Sequence, residues 1–171
     1  MEPAKGRLLV ASPLLLDPHF HQAVVLLAAH DKDGSFGLII NRRTAHTLEQ
    51  ALGQLCPEPL KARTLLWGGP VQPEALFAIH DGSVALGGLE IAPGLFLGAE
   101  TELLDHWVFD GREVPCQFIS GYAGWSAGQL DMEVGEGSWI VKEAPVPSIL
   151  SGDPTLWERF MATDSSPAAL N

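Results

Sequence analysis

Two apolar runs separated by a short turn do most to restrict what this chain can fold into. Residues 23–30 read AVVLLAAH and residues 36–41 read FGLIIN. The length and the valines of the first run predict a strand buried on both faces rather than a helix. DKDG, residues 31–34, is a turn in which Gly34 is free to take positive φ. Together the runs predict a β-hairpin.

The remaining pattern mixes strands with helices. Strands are predicted over 7–11, 64–71, 75–82, 94–98, 116–124 and 138–141. Helices are predicted over 47–55, 99–107, 126–134 and 153–161. Thr47 and Gln50 form a capping box for the first helix. Asp153 is placed as N-cap of the last, with Pro154 at its first position. Strands outnumber helices without a regular βαβ alternation, which predicts an α+β class. The 18 glycines and 13 prolines imply the tight turns of a strongly curved sheet. A length of 171 residues suits one domain, placed at 1–161, with 162–171 as a disordered tail.

Charge excludes some partners. Ten basic against 21 acidic residues give a net charge of −11. Such a surface repels nucleic-acid phosphates and anionic lipid, so direct DNA binding and membrane association are not expected. Cys56 and Cys116 make neither a disulfide framework nor a zinc spacing. No secretory leader is read at the start, and the longest apolar run is too short to cross a bilayer. The expected compartment is the cytoplasm, with no cofactor and no metal site. The pair His19 and His21 lacks a third ligand at recognisable spacing and is read as loop histidines.

Gly124-Trp125-Ser126-Ala127-Gly128 spells the G-x-S-x-G of a nucleophile elbow, between a predicted strand and a predicted helix. In that class the histidine follows the serine, and here all six histidines precede it. Ser126 and Gln129 also spell S-x-x-Q. The hydroxyl is therefore expected to accept from the Gln129 N–H, while the glutamine side chain reaches back to the Ser126 N–H. No catalytic residue is assigned.

The stretch FISGYAGWSAGQLDMEVGEGSW resembles the signature of the AlgH/YqgE family at Gly121, Tyr122, Gly124, Trp125, Gly128, Gln129, Leu130, Glu133, Gly137 and Trp139. Pro13, Asp17, Phe20, Val24, His30, Gly37 and Asn41 resemble its N-terminal block, and WGGPV at 67–71 its centre. GLFLGAETELL and Trp157 also fit. Ala23, Arg43 and Asp131 depart from the pattern. The resemblance implies a single α+β domain whose strongly curved, partly closed or bifurcated mixed sheet is barrel-like and flanked by helices. It also carries a transcriptional-regulator label that no helix-turn-helix pattern supports here.

His30, Asn41, Arg42, Trp125 and Gln129 stand at strand ends or a helix start, where they either line a cleft or serve nearby backbone and core. Gly68, Gly69, Pro70, Gly121 and Gly128 lack a P-loop pattern and read as turns and close backbone packing. These ten residues mark the candidate surface for a ligand or partner. The leading expectation is a non-enzymatic binding protein with an unidentified protein or small-molecule partner and an indirect regulatory role. The alternative is a small hydrolase or transferase using a cleft near Asn41 and Gln129. A direct DNA-binding regulator ranks last.

Overall fold

Side-chain parity sorts the first strands into two apolar layers. The computed structural model describes residues 1–82, 88–99 and 115–164. In it β1 (Leu8–Ala11), β2 (Val24–Asp31) and β3 (Gly34–Ile39) pair antiparallel. Leu8, Val24, Leu26, Leu38 and Ile40 enter one core. Leu9, Val25, Leu27 and Ile39 enter another, the outer core, on the opposite face, because successive strand side chains alternate. The predicted hairpin is present, and Val24–Leu27 are fully buried on both sides.

Among the described residues seven more strands follow: β4 (Arg43–Thr47), β5 (Thr64–Trp67), β6 (Val71–His80), β7 (Leu89–Ala92), β8 (Leu95–Ala99), β9 (Cys116–Ser126) and β10 (Trp139–Lys142). Their order is β10-β1-β2-β3-β9-β6-β8-β7, with β5 beside β9 and β4 beside β5. Every pair is antiparallel except β5 with β9.

The sheet forks along β9. Ala123–Ser126 pair with β3, whereas Ile119 and Ser120 pair with β5. Gly68 bridges the fork: its N–H donates to the Ser120 carbonyl at 2.7 Å, and its carbonyl accepts the Ile39 N–H at 2.9 Å. Gly69 and Gly121 lie backbone against backbone here, at φ of +152° and +76°. A Cβ on Gly69 would collide with the Tyr122 carbonyl, and one on Gly121 with the Gly69 carbonyl. The sheet also curls. A Cβ on Gly6, just before β1, would lie 2.8 Å from the Ala92 Cβ in β7, at the far end of the strand order. The result is the curved, bifurcated half-barrel that the resemblance implied.

Among the described residues four short helices cover it: α1 (Leu48–Leu52), α2 (Gln129–Gly135), α3 (Val146–Ile149) and α4 (Leu156–Asp164). Both halves of the Thr47–Gln50 capping box form, but α1 passes into a 3-10 turn at Gly53. A third core, including Leu48, Leu76 and Phe118, lies beneath it. Asp153 accepts the Thr155 N–H at 2.8 Å, and the regular helix begins at Leu156. It continues past residue 161, so the first positions of the expected tail are helical, and residues 165–171 lie outside the described residues. The helix predicted over 99–107 falls almost wholly outside them, and Ala99 itself closes β8. No described helix is long and apolar enough to cross a membrane.

Candidate functional site

Asn41 and Arg42 lie between β3 and β4, and both reach the loop between β1 and β2. Asn41 is buried, with 7% exposure. Its Oδ1 accepts the Val24 N–H at 2.9 Å, and its Nδ2 donates to the Gln22 carbonyl at 2.9 Å. Gln22 sits at φ of +56°, so the amide holds a residue in a backbone region that favours glycine. The Arg42 guanidinium donates to the His19 and His21 carbonyls and lies 5.4 Å from the Trp67 ring centre. Burial pulls its pKa below the ordinary arginine value, partly offset by Asp17. These two side chains clamp a loop that is also fastened elsewhere along its length. Asp17 accepts the His19 N–H at 2.8 Å, and Phe20 stacks on Trp125 with ring centres 6.1 Å apart.

Trp125 lies under the same loop, buried in the outer core. Its indole N–H donates to Glu133 Oε1 at 3.2 Å, and that of Trp139 donates to the same oxygen at 3.0 Å. Gln129 Nε2 donates to Glu133 Oε2 at 2.9 Å. The half-buried carboxylate thus gathers donors from β9, α2 and β10.

The expected capping box at Ser126 forms only by half. The Ser126 N–H donates to Gln129 Oε1 at 2.9 Å, as expected. The hydroxyl does not accept from the Gln129 N–H; it lies 3.2 Å from Gln129 Oε1, where it can only donate. The reason is register. β9 continues through Ser126, which pairs with Gly34, and Gly128 at φ of +76° is the N-cap. Gln129 is then the first helical residue rather than the third.

His30 stands between Ser35 and Asp131, with Nδ1 2.6 Å from the Ser35 hydroxyl and Nε2 3.4 Å from Asp131 Oδ1. The residue types match a hydrolytic triad, but the ring is reversed: there the serine meets Nε2 and the acid Nδ1. Ser35 is buried within β3, facing His30 on β2 and Trp125 on β9. The array fastens the first turn of α2 to the hairpin.

Three comparisons with known proteins bear on this arrangement. A family model described as AlgH-like matches residues 8–167. The chain belongs to the AlgH-like family. A UPF0301 protein of Xanthomonas euvesicatoria is 38% identical over 143 residues, covering 81% of this chain and 76% of the relative. One from Chlorobaculum tepidum is 37% identical over 160 residues, covering 90% and 83%. The solution structure of AlgH from Pseudomonas aeruginosa superposes with a TM-score of 0.76 at 29% identity, covering 99% of this chain and 94% of that one. A Corynebacterium diphtheriae crystal structure shares the fold, with a TM-score of 0.73 at 22% identity and coverage of 99% and 92%.

In this AlgH-like chain the ten candidate residues fall into separate groups. Asn41 and Arg42 clamp the loop. Trp125 and Gln129 meet at Glu133, and His30 meets Asp131. Gly68, Gly69 and Gly121 build the fork, with Pro70 next to it, and Gly128 turns into α2. Asn41 and Gln129 share no hydrogen bond, and the amide groups of both are engaged internally. Among the described residues no group of three His, Cys, Asp or Glu could hold a metal. Sequence reasoning left Glu133 out of the surface although it lies four residues after Gln129, the spacing that brings helical side chains together. Ser35 carried no local signal.

Proposed function

We propose that this protein acts by binding another protein, with the loop at 12–22 as the recognition element. One observation carries the reading. Asn41 and Arg42 hold the loop in a single shape, yet Leu14 is 88% exposed and Leu16 74%. Leu15, between them, packs into the outer core. Two leucines held out on a fixed loop gain nothing for the fold. Fixed in advance, they lose little entropy when a partner covers them.

Other observations support a binding role over chemistry. The polar side chains of the candidate surface are engaged with one another or with backbone, so none is left as an activated nucleophile. A net charge of −11 opposes contact with DNA and supports an indirect route to any regulatory effect. Two buried thiols, Cys56 and Cys116, support a reducing, cytoplasmic setting.

The test is a photo-crosslinking residue placed at position 16, and separately at position 55, where Leu55 is also exposed. A discrete adduct in growing cells from position 16 alone, abolished by Leu14→Asp, is expected. Identical adducts from both positions, or none from position 16, would overturn the assignment.

A further inference from the structure

Away from that loop, β4, β5 and the start of β9 line an open polar cavity of about 420 Å³. Arg43, Arg63, Thr64, Gln117 and Leu150 are among its lining residues. We propose that this cavity binds a small molecule bearing a compact oxyanion, a phosphate or a carboxylate cluster, between Arg43 and Arg63.

The chain carries 21 acidic and only ten basic residues, so two arginines lining one cavity concentrate positive charge locally. Arg7, Lys61 and Arg159 each pair with a carboxylate. Among the described residues neither Arg43 nor Arg63 does, and both line the same cavity. Asp153, whose charge Arg43 feels, is itself engaged by Thr155 and Arg159.

Both guanidinium groups are also oriented in advance. Arg43 Nε donates to the Gly152 carbonyl at 2.9 Å. Arg63 donates to the Cys116 carbonyl and lies 5.6 Å from the Phe118 ring centre. Each is anchored through one N–H group and keeps the rest of its planar donor fork, which matches phosphate and carboxylate geometry. The Thr64 hydroxyl has no protein partner among the described residues and adds a neutral donor at the rim. Two like charges lining one cavity give it a positive potential that an anion relieves. The volume is that of ordinary small-ligand sites.

Calorimetric titration with pyrophosphate, inorganic phosphate and citrate, each against chloride at matched ionic strength, tests this. Saturable one-site binding of at least one anion is expected. Pyrophosphate favoured over citrate identifies a phosphorylated ligand, and the reverse a polycarboxylate. Arg43→Gln, at an exposed position, should keep the melting temperature in chloride and weaken binding about tenfold or more. Arg43→Lys should recover part of the loss, and Arg7→Gln, outside this cavity, should bind as the parent does. Arg63 also anchors β9, so it is varied only to Lys, with folding followed by circular dichroism. No saturation at millimolar anion, or equal binding by the parent and Arg43→Gln, would overturn the proposal.

Discussion

The indole nitrogens of Trp125 and Trp139 donate to one and the same oxygen, Glu133 Oε1, at 3.2 and 3.0 Å. The rings stand edge to face, with centres 6.0 Å apart. Strand β9 and strand β10 lie apart in the sheet order, so this carboxylate ties two distant strands to α2.

Glu133→Gln should therefore lower stability by about 1–3 kcal/mol, the usual penalty for stranding a buried donor. The new amide N–H₂ would face the Gln129 N–H₂, and Gln129 cannot flip, because its Oε1 already accepts the Ser126 N–H. Adding Gln129→Glu reverses the donor and acceptor across that contact. The double variant should regain most of the loss in urea unfolding. A double variant no more stable than Glu133→Gln alone would show that the contact with Gln129 carries no energy.

Asn41→Ala removes the side chain that accepts from Val24 and donates to Gln22. A loss of about 1–3 kcal/mol is expected from the unpaired backbone groups. The more specific readout is amide exchange. The Val24 amide and the loop amides after Asp17 should exchange faster, while those of β6 should not. Uniform acceleration would indicate a global effect instead of a released loop.

What was legible in the sequence was local. The AVVLLAAH and FGLIIN runs announce a two-faced hairpin because period and length suffice. Thr47 and Gln50 form their box because both partners lie within one turn of chain. Ser126 and Gln129 have the same spacing, yet the outcome there depends on how far β9 stays paired with β3, and that is set by residues about ninety positions earlier. The partners of Asn41 and Arg42 are likewise 17 to 23 residues away. Strand β4, reading RTAHT, is polar and mostly exposed, so no apolar period marks it. The cavity between Arg43 and Arg63 exists only once β4 and β5 pair, so Arg43 stood out beforehand only as a departure from the family pattern, and Arg63 not at all.

The fork predicts a sharp contrast among glycines. Gly121→Ala places a Cβ against the Gly69 carbonyl at φ of +76°, so steric overlap and backbone strain act together. Loss of well over 1 kcal/mol is expected, enough to reduce soluble yield. Gly135 lies in α2 with nothing near its absent Cβ, and Gly135→Ala should be neutral or slightly stabilising. Melting temperatures of the two variants decide it, and equal losses would place the fork's rigidity elsewhere.

Acid should act partly through Asp153. The Thr155 hydroxyl and N–H donate to its carboxylate, and Arg159 lies 3.0 Å away, so its pKa falls below the ordinary aspartate value. A depressed folded-state pKa means the carboxylate stabilises the fold above the unfolded value. That contribution is lost as pH falls through the lower folded value. Asp153→Asn keeps an acceptor for Thr155 but cannot ionise. Parent and variant should therefore differ most near neutral pH and converge below about pH 4, the ordinary range for aspartate. Urea midpoints measured from pH 7 down to the lowest pH at which both remain folded would show the convergence. A gap of constant size across that range would mean that the carboxylate's charge contributes nothing and only its shape matters.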